Sequence, residues 1–138
     1  MFSSRQLIKI LSPNDTGETG AHQAGIVVPK DANLLSFFPD LDPREYNPRV
    51  HIDFIDDVGK RWEFAFIYYN NGLFGGTRNE YRLTRMTQFI RENLLTSGDE
   101  LVLTSEDDTY KVSYRRKSPQ SVKSNVLVLG NSWRVISI

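Results

Sequence analysis

The sequence predicts a mainly β domain with two short helices, arranged as a closed or nearly closed barrel whose openings the helices plug. Three observations carry this. Seven or more segments either alternate apolar and polar residues or concentrate β-branched and aromatic ones, with turn formers between them. Only two segments have helical spacing, and both are short. The chain has 138 residues, 39% apolar and 12% aromatic, which supports one domain over residues 1–138 with one core.

In order, residues 6–11 read as a first strand and residues 26–29 as a second, stopped by Pro29. Between them residues 12–25 form a polar loop rich in turn formers. Loops of this length without internal structure are uncommon in compact domains and are often functional. Its glycines make no phosphate loop, since neither Gly-Lys-Ser/Thr nor Gly-x-Gly-x-x-Gly is present. Residues 31–38 suit a short helix opened by Asp31 or Asn33 and ended before Pro39. The acidic, proline-punctuated stretch 39–48 reads as loop. Strands three and four follow at residues 50–55 and 61–69, joined by a turn at Asp56-Asp57-Val58-Gly59. Residues 86–95 carry Met86, Phe89, Ile90 and Leu94 at helical spacing, with Ser97-Gly98 as the stop. Further strands are expected at residues 100–104, at 110–116, and at 125–129 or 133–138.

Charge is neutral overall but unevenly placed. Residues 31–63 hold eight acids and four bases, whereas residues 76–91 hold four arginines and the single acid Glu80. A second basic run comprises Lys111, Arg115, Arg116, Lys117 and Lys123, so a polarised surface is compatible with the neutral total. Cysteine is absent, which excludes disulfides and thiolate metal sites. No apolar run is long enough to cross a membrane, and the first residues lack a signal-peptide pattern, so a soluble intracellular chain is expected. Catalysis has little material. The two histidines, His22 and His51, stand on separate segments, leaving neither a histidine-rich metal site nor a Ser-His-Asp set. A magnesium nuclease of the Asp/Glu-x-Lys type requires an acid two places before a lysine, and none of the six lysines has one.

The most informative stretch is residues 74–85, a glycine-opened segment that gathers guanidinium groups around one carboxylate. In an extended chain, side chains two apart share a face, so Arg78, Glu80 and Arg82 point the same way. Arginine bonds bidentately to guanine O6 and N7 in the major groove, and a carboxylate accepts from the cytosine amino group. A surface ion ladder of the same residues is the other possibility, and would add little stability.

Two segments carry a family resemblance. Ser12-Pro13-Asn14-Asp15-Thr16-Gly17-Glu18-Thr19-Gly20-Ala21-His22-Gln23-Ala24-Gly25, followed by an apolar strand and Pro29, resembles a loop of the N-terminal effector-binding domain of EcoRII-type restriction endonucleases. Tyr68-Tyr69-Asn70, Phe74-Gly75, Thr77-Arg78-Asn79-Glu80, Arg82, Thr84 and Arg85 resemble its second signature, with Phe38-Pro39 and Asn47-Pro48 as weaker echoes between. The resemblance implies a seven-stranded pseudobarrel related to the plant B-three domain, gripping the major groove of double-stranded DNA between two arms. Residues 12–25 would be the N-terminal arm and residues 76–85 the C-terminal arm. The chain departs from the family at Gly72, Gly76 and Tyr81, positions that are basic there, which should cost phosphate affinity.

On this resemblance the chain is a recognition domain without catalytic residues, expected in the cytoplasm of a prokaryote as a fragment of a larger restriction enzyme. It would use no cofactor, with Mg2+ required only by a separate nuclease domain. The first-guess target is CC(A/T)GG. Expected base readers are Arg78, Glu80, Arg82, Asn79, Asp15, Thr16, His22 and Gln23, with Asn79 and His22 equally suited to structural roles. Lys9, Asn14, Thr19, Thr77 and Arg85 are expected at the DNA backbone, so loss of Lys9 should weaken all sequences alike and flatten the salt slope by about 1. Two other classes stay open: a free-standing DNA-binding regulator, and a single-strand binder that stacks bases on Tyr68, Tyr69, Tyr81 or Phe74.

Overall fold

The computed structural model describes residues 4–20, 25–117 and 132–137. Eight strands form one sheet: β1 (Ser4–Ile10), β2 (Ile26–Val28), β3 (Arg49–Ile55), β4 (Arg61–Tyr69), β5 (Glu80–Thr84), β6 (Glu100–Glu106), β7 (Thr109–Arg115) and β8 (Trp133–Ser137). This is the mainly β fold expected, with the arginine-rich segment supplying β5. The alternative strand at residues 125–129 lies outside the described residues.

The sheet runs in the order β2-β5-β4-β3-β7-β6-β1-β8 and curls. All pairings are antiparallel except β3 with β7, which meet in parallel only at Phe54–Tyr110 and Ile55–Lys111. The two end strands approach each other through a side chain: the Trp133 indole N–H of β8 donates to the Val27 carbonyl of β2 at 3.0 Å. A sheet with one thin parallel seam and side-chain closure is a pseudobarrel rather than a fully hydrogen-bonded barrel.

Alternation decides the inside. On β3, Ile52 and Phe54 face inward, and on β4 Trp62, Phe64, Phe66 and Tyr68 do so. Leu7, Leu83, Leu101, Leu103 and Val112 complete the core from other strands. Two short helices add apolar plugs. After α2 (Ala32–Leu35), Phe38 stacks on Phe66 with ring centroids 4.2 Å apart. From α3 (Thr87–Glu92), Phe89 meets Trp62 edge-on at 5.1 Å. The plugs therefore engage β4 at different heights.

Both helices are shorter than their periodicity suggests. Asp31 caps α2 by accepting from the N–H groups of Asn33 and Leu34, and the helix closes at Ser36. Residue Leu94 adopts a left-handed φ of 54°, which stops α3 before the expected Ser97-Gly98 signal. As a result Leu94 is 75% exposed and Leu95 takes the core position instead. A third helix was not expected at all. One turn, α1 (Pro13–Thr16), opens the polar segment after β1.

Candidate nucleic-acid interface

The two polar segments singled out by sequence are both built structures. In the first, Ser12 caps α1: its hydroxyl accepts from the Asp15 N–H at 3.1 Å, and the Asp15 carboxylate accepts from the Ser12 N–H at 2.9 Å. Pro13 occupies the first helical position and Gly17 ends the turn at φ 83°. The signal was present as Ser-Pro-x-Asp, a capping box with proline at its preferred place. The same Asp15 carboxylate binds the Lys9 ammonium at 3.0 Å, with both side chains buried. Lys9 also donates to the Ile10 carbonyl at 2.9 Å. Glu18 pins the other side of the turn, accepting from the Ser97 N–H at 2.7 Å and from the Thr16 hydroxyl at 2.8 Å. The Ser97 N–H, followed by the Thr16 hydroxyl, holds its carboxyl below the usual range.

At the root of this arm Asp99 is buried. Burial pushes its carboxyl up, yet N–H donors from Thr96 and Lys117, the Thr96 hydroxyl and the Arg116 charge outweigh it and leave the group below its ordinary value. The Asp99 carbonyl accepts from the Leu11 N–H at 2.9 Å, so the start of the arm is fixed to the turn between α3 and β6.

In the second segment a 3-10 turn at Asn71–Phe74 leads through Gly75, at φ 92°, into the arginine row. Asn71 organises the turn: its side-chain oxygen accepts from the Arg78 N–H at 2.6 Å, and its carbonyl accepts from the Gly76 N–H at 2.7 Å. A Cβ at Gly76 would come 2.8 Å from Asn71 Cγ, and one at Gly72 would come 3.0 Å from the Arg78 carbonyl oxygen. Tight folding of this turn therefore favours glycine at both positions.

Arg78, Glu80 and Arg82 do share a face. Glu80 Oε1 accepts from Arg78 Nη2 at 2.8 Å and from Arg82 Nε at 3.2 Å, while Oε2 accepts from Arg82 Nη2 at 3.4 Å. The Arg78 hydrogen bonds hold the Glu80 carboxyl below the usual range; partial burial opposes them and Arg82 adds to them. Arg78 also lies over the Tyr69 ring, 3.9 Å from its centroid. The row is thus an ion ladder in the free protein, partly exposed rather than fully buried against the barrel: 39% of the Arg78 side chain, 31% of the Glu80 side chain and 19% of the Arg82 side chain remain accessible.

A family model described as restriction endonuclease EcoRII, N-terminal, matches residues 3–115. The chain belongs to the EcoRII N-terminal family. The type II restriction enzyme EcoRII of Escherichia coli is 40% identical to it over 101 residues, covering 70% of this chain and 24% of that enzyme. The chain therefore spans about a quarter of the length of the curated relative it matches.

Within this EcoRII N-terminal fold the two arms touch. Arg82 Nη1 donates to the carbonyl of Gly25, at the foot of the first arm, at 3.0 Å. Gly25 sits at φ 96°, and a Cβ there would come 2.6 Å from the Leu83 carbonyl oxygen and 2.7 Å from Thr84 Cγ2. Gly25→Ala is accordingly expected to cost more than about 1 kcal/mol. A thermal midpoint equal to that of the unaltered chain would contradict this close approach.

The remaining expected site residues fall into distinct places. Asn14 and Thr19 are exposed on the first arm and Thr77 is exposed on the second. Arg85, at a left-handed φ of 67°, pairs with Glu63 at 2.8 Å on the surface. Asn79 accepts from the Tyr68 hydroxyl at 2.7 Å, which ties the arm to β4. His22 and Gln23 lie outside the described residues. Of the aromatics considered for base stacking, Tyr68 is buried and stacked on Tyr81 at 4.3 Å, Tyr69 is covered by Arg78, and Phe74 is the exposed one.

A groove of about 390 Å³ on the same face as the ladder is lined by residues of β3, β4 and β5, among them Arg49, His51, Tyr69 and Thr84. Arg49 and His51 were not among the expected site residues. Nothing in their local sequence sets them apart, because their position depends on which strands β3 joins.

Proposed function

We propose that this chain recognises a specific short duplex as the DNA-binding part of a type II restriction enzyme, with its two arms in the major groove. The observation that supports it best is the partly exposed Arg78–Glu80–Arg82 row, held in extended geometry beside a groove in a member of the EcoRII N-terminal family. Two guanidinium forks already aligned by a shared carboxylate lose little conformational freedom on meeting two guanines. Glu80 orients both forks in the free protein and is placed to accept from a cytosine amino group once an arginine turns to a base. Asn14, Thr16, Thr19 and Thr77 are proposed to contact base edges or phosphates. Lys9 and Asp15 instead stiffen the first arm, since each satisfies the other inside it.

CC(A/T)GG remains the first target to try. Bond cleavage is assigned to a separate Mg2+-dependent nuclease part, for which the relative's length beyond the matched stretch leaves room. Duplex binding is favoured over single-strand stacking because three of the four candidate aromatics are buried, stacked or covered.

Selection from random duplexes tests this directly and should return one short G·C-rich consensus. Competition in a gel shift should show single strands displacing the selected duplex only weakly. Recovery of no consensus, or equal competition by single strands, would overturn the assignment.

A further inference from the structure

Arginines in this protein are almost all spoken for. Among the described arginines, the side chains of Arg49 and Arg91 alone have neither an ion pair nor a hydrogen bond, whereas the others meet carboxylates, hydroxyls or carbonyls. Arg49 lies in the groove beside the arginine ladder. Register explains how it gets there. Arg49 pairs with Ile67 of β4, which pairs with Arg82 of β5; two residues along β3, His51 pairs with Ala65, which pairs with Thr84. Both rows face the same side of the sheet.

Every acid of that face is already answered. Glu80 holds Arg78 and Arg82, Glu63 holds Arg85, and Asp53 faces Arg61 at 3.9 Å. The positions between Arg49 and Arg82, and between His51 and Thr84, are the apolar Ile67 and Ala65, which offer no side-chain acceptor. An uncompensated guanidinium with a histidine beside it is therefore left on an otherwise balanced floor.

We propose that Arg49, assisted by His51, is a sequence-blind seat for a backbone phosphate of the same duplex whose bases the ladder reads. This rests on the duplex reading above. Strands lie about 4.8 Å apart, so the Arg49 backbone stands about 10 Å across the sheet from that of Arg82. That lateral offset lies within the major groove's width of about 12 Å, which lets one arginine reach a base edge while the other meets the groove's rim. A cation at the rim adds affinity without sequence information.

The test is a salt titration of binding to the selected duplex and to a scrambled one. Arg49→Ala should weaken both by the same factor, reduce the salt slope by about 1 and leave base preference unchanged. Arg49→Lys should restore most of the lost affinity, because a phosphate accepts a point charge. Lys111→Ala, an exposed cation on β7 outside the groove, should lose less than Arg49→Ala. The Arg49 side chain makes no ion pair or hydrogen bond to the described residues, so the thermal midpoint of Arg49→Ala should match the unaltered protein and a binding loss cannot be assigned to unfolding. If affinity and slope stay at their original values, or if base preference changes instead, the seat is wrong while the duplex reading stands. If the unaltered chain prefers no duplex, that reading fails and takes the seat with it.

Discussion

Arg82→Ala is expected to weaken binding of the selected duplex by about 1–3 kcal/mol and to relax discrimination at one base pair, while binding to scrambled duplexes changes much less. The Arg82 guanidinium donates Nε and Nη2 to Glu80 and Nη1 to the Gly25 carbonyl, so one side chain spans the ladder and the foot of the other arm. Alanine removes the proposed base-reading fork and this tie together. Arg82→Lys separates the two contributions to binding. It keeps the charge but not the planar pair of donors, so affinity for scrambled DNA should be retained while discrimination falls. Equal weakening of selected and scrambled duplexes by Arg82→Ala would assign this residue to the phosphate backbone instead.

Lys9→Met is expected to act on stability first. Lys9 and Asp15 form a pair whose side chains are only 7% and 10% accessible. Removing one partner leaves a desolvated charge, which typically costs about 3–5 kcal/mol. Asp15 retains the Ser12 N–H, which favours the lower end of that range. The corresponding fall in thermal midpoint is on the order of 10 °C. The double change Lys9→Met with Asp15→Leu should recover part of the loss, because the uncompensated charge is gone although the capping box is lost. The salt slope of DNA binding by the folded fraction should be nearly that of the unaltered chain. This reverses the expectation drawn from sequence, where Lys9 stands at the phosphate backbone. A slope lowered by about 1 with an unchanged midpoint would restore that first role.

Much of the architecture could be read before any coordinates. β3 and β4 announce themselves by alternation, and their inward residues are the ones the pattern indicates. The row of Arg78, Glu80 and Arg82 follows from the two-residue period of an extended chain, and the contacts to Glu80 realise it. The Ser-Pro-x-Asp cap of α1 was equally legible, but the surrounding glycines and polar residues hid one helical turn inside what reads as loop.

Other features had no local signature. Lys9 looks like any surface lysine at the end of a strand until α1 folds over it. Ala65 and Ile67 sit on the outward side of β4 yet are buried, at 2% and 3%, so alternation alone misplaces them. The parallel seam between β3 and β7, and the reach of Trp133 to Val27, join segments far apart in the chain.

Covalent geometry therefore let the sequence alone determine which side chains travel together: the apolar faces, the charged row and the capped turn. Which rows become neighbours, which cations are desolvated and which are left without an acid were decided only when distant strands paired. The physical reason is range. Side-chain direction is set within two or three residues, whereas solvent access and charge compensation are properties of whatever the folded chain brings alongside.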